Sequence, residues 1–162
     1  MLTIEDGSIV PGADSFVSAA DFVNYAADYG VEVPDAESAQ EALLRRAAVQ
    51  LESLQWKGSP VSGDQLLSWP RAGVVRNDFP VKPDAIPPQV KQAQMALAAE
   101  LHAEDVATAV NTKGAVTKEA VEGAVSREYA TPVVPVSVAK RPCMALLTGL
   151  LVKSSQIQLV RG

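Results

Sequence analysis

The chain has 162 residues, 48% of them hydrophobic, and a formal net charge of −5, enough apolar material for one domain with its own core. The negative balance disfavours a sequence-independent nucleic-acid binder, which draws its affinity from basic side chains on phosphates. No apolar run approaches the roughly 20 residues of a membrane span. The opening MLTIEDGSIV has neither the basic start nor the long apolar segment of a signal peptide, so synthesis in the cytoplasm is the expectation.

Residues 1–14 are rich in turn formers, with Pro11-Gly12 as the strongest break, and read as an N-terminal arm. Ser18 as N-cap with Asp21 three positions on resembles a capping box, and Val17 and Phe22 stand where a hydrophobic staple would form. The helix so started should run from Ala19 to about Tyr29 and stop at Gly30, where a left-handed cap is easy. Phe22, Tyr25, Ala26 and Tyr29 share a face, which reads as core or subunit contact.

Asp35 is the expected N-cap of a second helix reaching to about Gln55, with Glu37 in its first turn. Leu43, Leu44, Ala47, Ala48 and Leu51 recur at the spacing of a core-facing stripe. Trp56 then closes the end of the core before Lys57-Gly58, and Leu66, Leu67 and Trp69 bring apolar surface back to the body. Residues 71–88, with prolines at 80, 83, 87 and 88, read as a stiff irregular wrap. The third helix should begin at Pro87 or Pro88 and end around Ala103 to Asp105, burying Val90, Ala93, Leu97, Ala98 and Leu101. A loop with Asn111, Lys113 and Gly114 follows.

Val116, Val121, Val125 and Tyr129 suggest a hairpin or edge strands, within an extended insertion at about 115–139. A short last helix from Ala139 or Lys140 to Leu151 precedes a tail, 152–162. In that tail Lys153 and Arg161 accompany Ile157, Leu159 and Val160, the composition of an arm that lies along another surface. The expected class is mainly α: a small helical bundle at 15–151 with a β-hairpin or extended arms and an extended C-terminal tail. Leu43, Leu44, Ala47, Leu51, Trp56 and Trp69 are its structural centre.

Charge is segregated along the chain. The first 44 residues hold nine acidic side chains and no Lys or Arg, whereas Ser137 to Gly162 hold four basic and no acidic ones. Complementarity between the ends, within one chain or between copies, is one reading of this pattern. Chemistry leaves little trace. His102 is the one histidine and Cys143 the one cysteine, too few for a His/Cys metal cluster or a disulfide within the chain. Phosphate-loop, dinucleotide and HExxH motifs are missing. No catalytic residue, metal ligand or cofactor is expected, and the chain does not read as an enzyme.

The ordered series SFVSAADFVNYAADYG, ALLRRAAVQLESLQWKG, QLLSWPRAGV, IPPQVKQAQMALAAEL, EAVEGAVSREYA, LLTGLL and QLVRG resembles the head-to-tail adaptor (head completion) proteins of tailed bacteriophages. That resemblance implies a mostly helical homo-oligomer, a dodecameric ring beneath the portal protein in the neck of the virion. The ring would extend the channel for packaged double-stranded DNA, without sequence-specific binding, and would dock the next neck or tail completion protein. It also implies that the C-terminal arm, with Lys153, Ile157, Leu159, Val160 and Arg161, reaches toward the portal. Sequences of this kind are also labelled DnaT-like single-stranded-DNA-binding proteins, and a replication protein of that class is the alternative. Tyr25, Tyr29, Trp56 and Trp69 would then be the stacking residues, although few Lys or Arg are interleaved with them.

Overall fold

The computed structural model describes residues 1–113 and 137–152. Among these the architecture is mainly α, with three α-helices, two short antiparallel strand pairs and two 3-10 segments, in keeping with the expected helical bundle. Helix α1 spans Ala19–Tyr29. Ser18 Oγ accepts from the Asp21 amide at 3.1 Å, and the Asp21 carboxylate accepts from the Ser18 amide at 3.0 Å, so two amides at the helix start are satisfied reciprocally. Val17 and Phe22 are both buried beside this box. Gly30 ends the helix at φ 64°, a conformation that costs a residue without Cβ nothing. Tyr29, on the face read as core or subunit contact, is 60% exposed and stacks on Tyr25 with ring centroids 4.3 Å apart.

Helix α2 covers Glu37–Glu52, and its N-cap is Ala36, with no side-chain cap bond. Asp35 therefore does not cap it. Ala36 is the last extended residue, and its carbonyl accepts from the Ala39 and Gln40 amides. The Gln40 side chain donates to the Pro34 carbonyl at 2.7 Å, which fastens the entry one residue later than the Asp-based reading placed it. At the other end α2 stops at Glu52, short of Gln55. The Ser53 hydroxyl donates to the Gln50 carbonyl at 2.7 Å and the Leu54 amide to the Leu51 carbonyl at 3.2 Å, so the last turn tightens and closes.

Helix α3 is longer than its sequence stripe suggested, Pro88–Lys113. Asn111 and Lys113 are helical, and the expected end at Ala103–Asp105 is no boundary. Nothing between His102 and Lys113 is Gly or Pro, and Arg46 of α2 forms an ion pair with Asp105, which holds α3 alongside its neighbour there. Helix α2 packs mainly on α3, and α3 also packs on the segment Pro142–Leu147. Leu43, Leu44, Ala47, Ala48 and Leu51 belong to the same buried cluster as Val90, Ala93, Leu97, Ala98 and Leu101. Phe16, Phe22, Leu147 and Leu150 also belong to that core.

The stretch 71–88 is more regular than its prolines suggested. Strand β1 (Ser59–Pro60) pairs antiparallel with β2 (Arg71–Ala72), and β3 (Val75–Arg76) pairs with β4 (Phe79–Pro80). Asn77 and Asp78 link the second pair at φ 50° and 67°, the backbone of a two-residue hairpin turn whose twist suits the flanking strands. The hairpin expected at 115–139 falls almost wholly outside the described residues. The expected last helix is replaced by 3-10 segments Val138–Lys140 and Pro142–Leu147. Pro142 has no amide to donate, and Arg141 before it is extended at φ −81°, ψ 148°.

Residues 1–14, expected as an arm, lie against the body. Ile4 bridges Ser15 in parallel, and Glu5 is only 1% exposed. Its carboxylate accepts from the amides of Gly7, Ile9 and Val10. One buried acid thus gathers a loop that the sequence marks only as turn-rich.

Candidate interaction site at the tryptophan corner

At one corner of the body α2 ends, two tryptophans meet and the segment 149–152 runs alongside. Trp56 follows the closed end of α2 and donates its indole N–H to the Leu51 carbonyl at 3.1 Å. Trp69 is fully buried and meets Trp56 edge to face, with ring centroids 5.7 Å apart and planes at 88°, an arrangement that aromatic quadrupoles favour. The Trp69 indole nitrogen is buried without a hydrogen-bond partner. Its ring is a packing element.

Arg71 binds the corner from below. Its guanidinium donates to the carbonyls of Lys57 at 2.8 Å, Ser68 at 3.1 Å and Gly58 at 2.7 Å. Burial draws its pKa below the ordinary arginine value, partly offset by the charge of Glu52. Glu52, the last residue of α2, accepts from both the amide and the hydroxyl of Ser68, at 2.8 and 2.6 Å. Gly58 must be glycine for a steric reason. A Cβ there would sit 2.2 Å from the Ala72 carbonyl oxygen, and its φ is 69°.

The C-terminal segment is tied to this corner by backbone. The Lys57 amide donates to the Leu150 carbonyl at 2.9 Å, and the Val152 amide donates to the Gln55 carbonyl at 2.9 Å. Trp56 and Leu151 form an antiparallel bridge, and Lys57 Nζ reaches the Gly149 carbonyl at 2.7 Å. Further back, Arg141 is 5% exposed and its two terminal nitrogens hold both oxygens of Glu104, at 2.9 and 2.8 Å. Cys143 packs beside it, its amide donating to Glu100 at 2.8 Å. Burial first, and then the nearby Glu100 charge, push its thiol up to about 12.

The structure brings Leu43, Leu44, Ala47, Leu51, Trp56 and Trp69 into one buried cluster. Ser18 and Asp21 form the capping box at the start of α1, whereas Asp35 caps nothing. Lys153, Ile157, Leu159, Val160 and Arg161 lie outside the described residues. Leu66, expected to return to the body, is 63% exposed. Sequence reasoning missed Gln94, Glu5, Arg71 and Arg141, all buried polar side chains. For Gln94 a signal existed, because it lies between Ala93 and Leu97 beside the apolar stripe of α3. The charge segregation does not appear as pairing of chain ends among the described residues. Asp14 pairs with Arg45, and Arg141 with α3.

No cluster of three or more His, Cys, Asp or Glu placed to hold a metal occurs among the described residues. None of their helices is long and apolar enough to cross a membrane. Comparison with curated proteins and with solved structures returns no match. The sequence model of one family, described as "Putative DnaT-like ssDNA binding protein", matches residues 1–162, a match that supports a structural or DNA-associated role. Spanning the whole length of that match, the chain belongs to this family.

Proposed function

We propose that the chain is a structural head-to-tail adaptor of a tailed phage. Made in the host cytoplasm, it assembles as a ring, a dodecamer, beneath the portal protein in the virion neck. The ring extends the DNA channel and offers the docking surface for the next neck or tail completion protein, with the C-terminal arm 152–162 reaching toward the portal. The observation that carries this reading is how the positive charge is used. Each arginine among the described residues donates within its own chain: Arg45 to Asp14, Arg46 to Asp105, Arg71 to three carbonyls, Arg76 to Thr148 and Arg141 to Glu104. These side chains act as staples of a scaffold. A channel wall with a net negative charge lets DNA slide, whereas a basic groove would hold it.

The second reading is a single-stranded-DNA-binding replication protein, which the family description favours. It requires aromatic platforms beside free cations; of the four aromatics it would use, Trp56 and Trp69 are core residues, and the Tyr25–Tyr29 stack, with Tyr29 exposed, remains. Fluorescence anisotropy with a short labelled single strand near physiological salt separates the two. The adaptor reading expects weak or no binding. Submicromolar affinity that falls steeply with added salt would instead establish the second.

A further inference from the structure

A groove of about 580 Å³ opens beside the tryptophan corner, a size within the range of ligand-binding pockets. Glu52, Leu54, Trp56, Val61, Leu66 and Leu67 are among the residues that line it. The groove has its form before anything enters. Gln65 accepts from the Val61 and Ser62 amides and donates to the Leu67 and Pro70 carbonyls. Arg71, also on the lining, is held by the three carbonyls of Lys57, Ser68 and Gly58. Yet Leu66 and Val61 stay 63% and 42% exposed, so an apolar rim stands in water above a rigid floor.

The described chain ends beside Trp56, one of the lining residues. Because Leu151 bridges Trp56 antiparallel and the Val152 amide binds the Gln55 carbonyl, the backbone is heading along Gln55 toward Leu54 and Glu52. Ten residues follow Val152. Ile157 is five residues on, a reach of up to about 17 Å for extended chain, and Ile157 and Leu159 would share one face of such a strand. The segment carries Lys153 and Arg161 and no acid, while Glu52 lines the groove and Asp64 lies in its loop. We propose that this groove is the seat of the chain's own C-terminal segment, 153–162, with Ile157 and Leu159 against Leu54, Leu66 and Trp56. A tether that starts beside Trp56 gives the segment a high effective concentration at the groove, so the seat is filled within one copy. The inference does not rest on the adaptor reading. If both hold, a neck partner that takes the arm must first displace it.

The full-length protein carrying Gln158→Cys, labelled with a nitroxide at that position, tests this by NMR. Cys143 is buried and stays unlabelled. In the 15N-labelled chain, the amide signals of Leu54, Val61, Leu66 and Leu67 should broaden away, and either Leu66→Asp or Ile157→Asp with Leu159→Asp should restore them. Leu66 is exposed, so its replacement leaves the fold intact. Unbroadened signals throughout would overturn the proposal. So would equal broadening when a nitroxide-bearing unlabelled chain is mixed with a 15N chain lacking the nitroxide, since the seat would then be filled by another copy.

Discussion

Gln94 shows what a single buried polar side chain does in this fold. With no exposed surface, it accepts from the Phe16 amide and donates to Ser15 Oγ and the Leu44 carbonyl, each at 2.9 Å. It thereby fastens the loop before α1 and the middle of α2 to α3. Gln94→Leu keeps the volume but leaves the Phe16 amide without its acceptor. A buried group stranded in this way costs about 1–3 kcal/mol, so urea denaturation should show a loss of that size with an unchanged slope. A midpoint equal to the parent's would mean that the loop finds other partners. Cys143 gives a chemical counterpart. Its thiol ordinarily ionises near 9.0 and is held up to about 12 by burial. The native protein should therefore resist iodoacetamide at mildly alkaline pH and react once unfolded. The linked stability has a definite sign. It is complete below the unfolded pKa of 9.0 and declines as pH rises toward about 12, where the unfolded thiol has lost its proton and the folded one retains it. Alkaline denaturation of Cys143→Ala, which lacks this titration, should begin less steeply than that of the parent.

Among the elements, those set by local chemistry were legible in the sequence. The capping box and Gly30 place α1 at Ala19–Tyr29 in both sequence and structure, because cap bonds lie within three residues of each other. The stripe of α2 was equally plain, but its first residue was not. Asp35 offers a good cap side chain, and the Gln40 bond to Pro34 overrules it, a contact between side chain and backbone that no periodicity reports. The Asn77-Asp78 turn was hidden by the prolines around it, and α3 outran its own buried stripe because a helix that leaves the core without a Gly or Pro breaker carries no mark where it should stop. The tryptophan corner was half legible. Position and size announced two large rings at chain reversals, but not that they meet edge to face or that Arg71 gathers the carbonyls beneath them. Trp69→Ala should lower stability by about 3–5 kcal/mol, read as a sharp fall in melting temperature. Trp69→Phe should cost much less, since the indole nitrogen has no acceptor to lose. A Trp69→Ala protein that melts like the parent would move this residue out of the core account.

At the scale of the described molecule, the arginines fasten segments to one another and the core is largely helical, as the proposed scaffold role requires. The route by which 137–152 returns is the part least visible in the sequence. It depends on Arg141 gripping Glu104 from a distant stretch and on backbone bonds between 149–152 and 55–57, pairings with no local signature. Their effect is to deliver the C-terminal segment to one defined edge of the body, where an assembly contact can be built. The measurement that tests the adaptor account most directly is co-assembly. The purified full-length chain is mixed with a portal protein encoded in the same genome and imaged by negative-stain electron microscopy. The account predicts closed rings seated coaxially on the portal, lost when residues 153–162 are removed while the circular dichroism of the body is retained. Portals that remain bare beside a folded chain that neither forms rings nor binds them would contradict it.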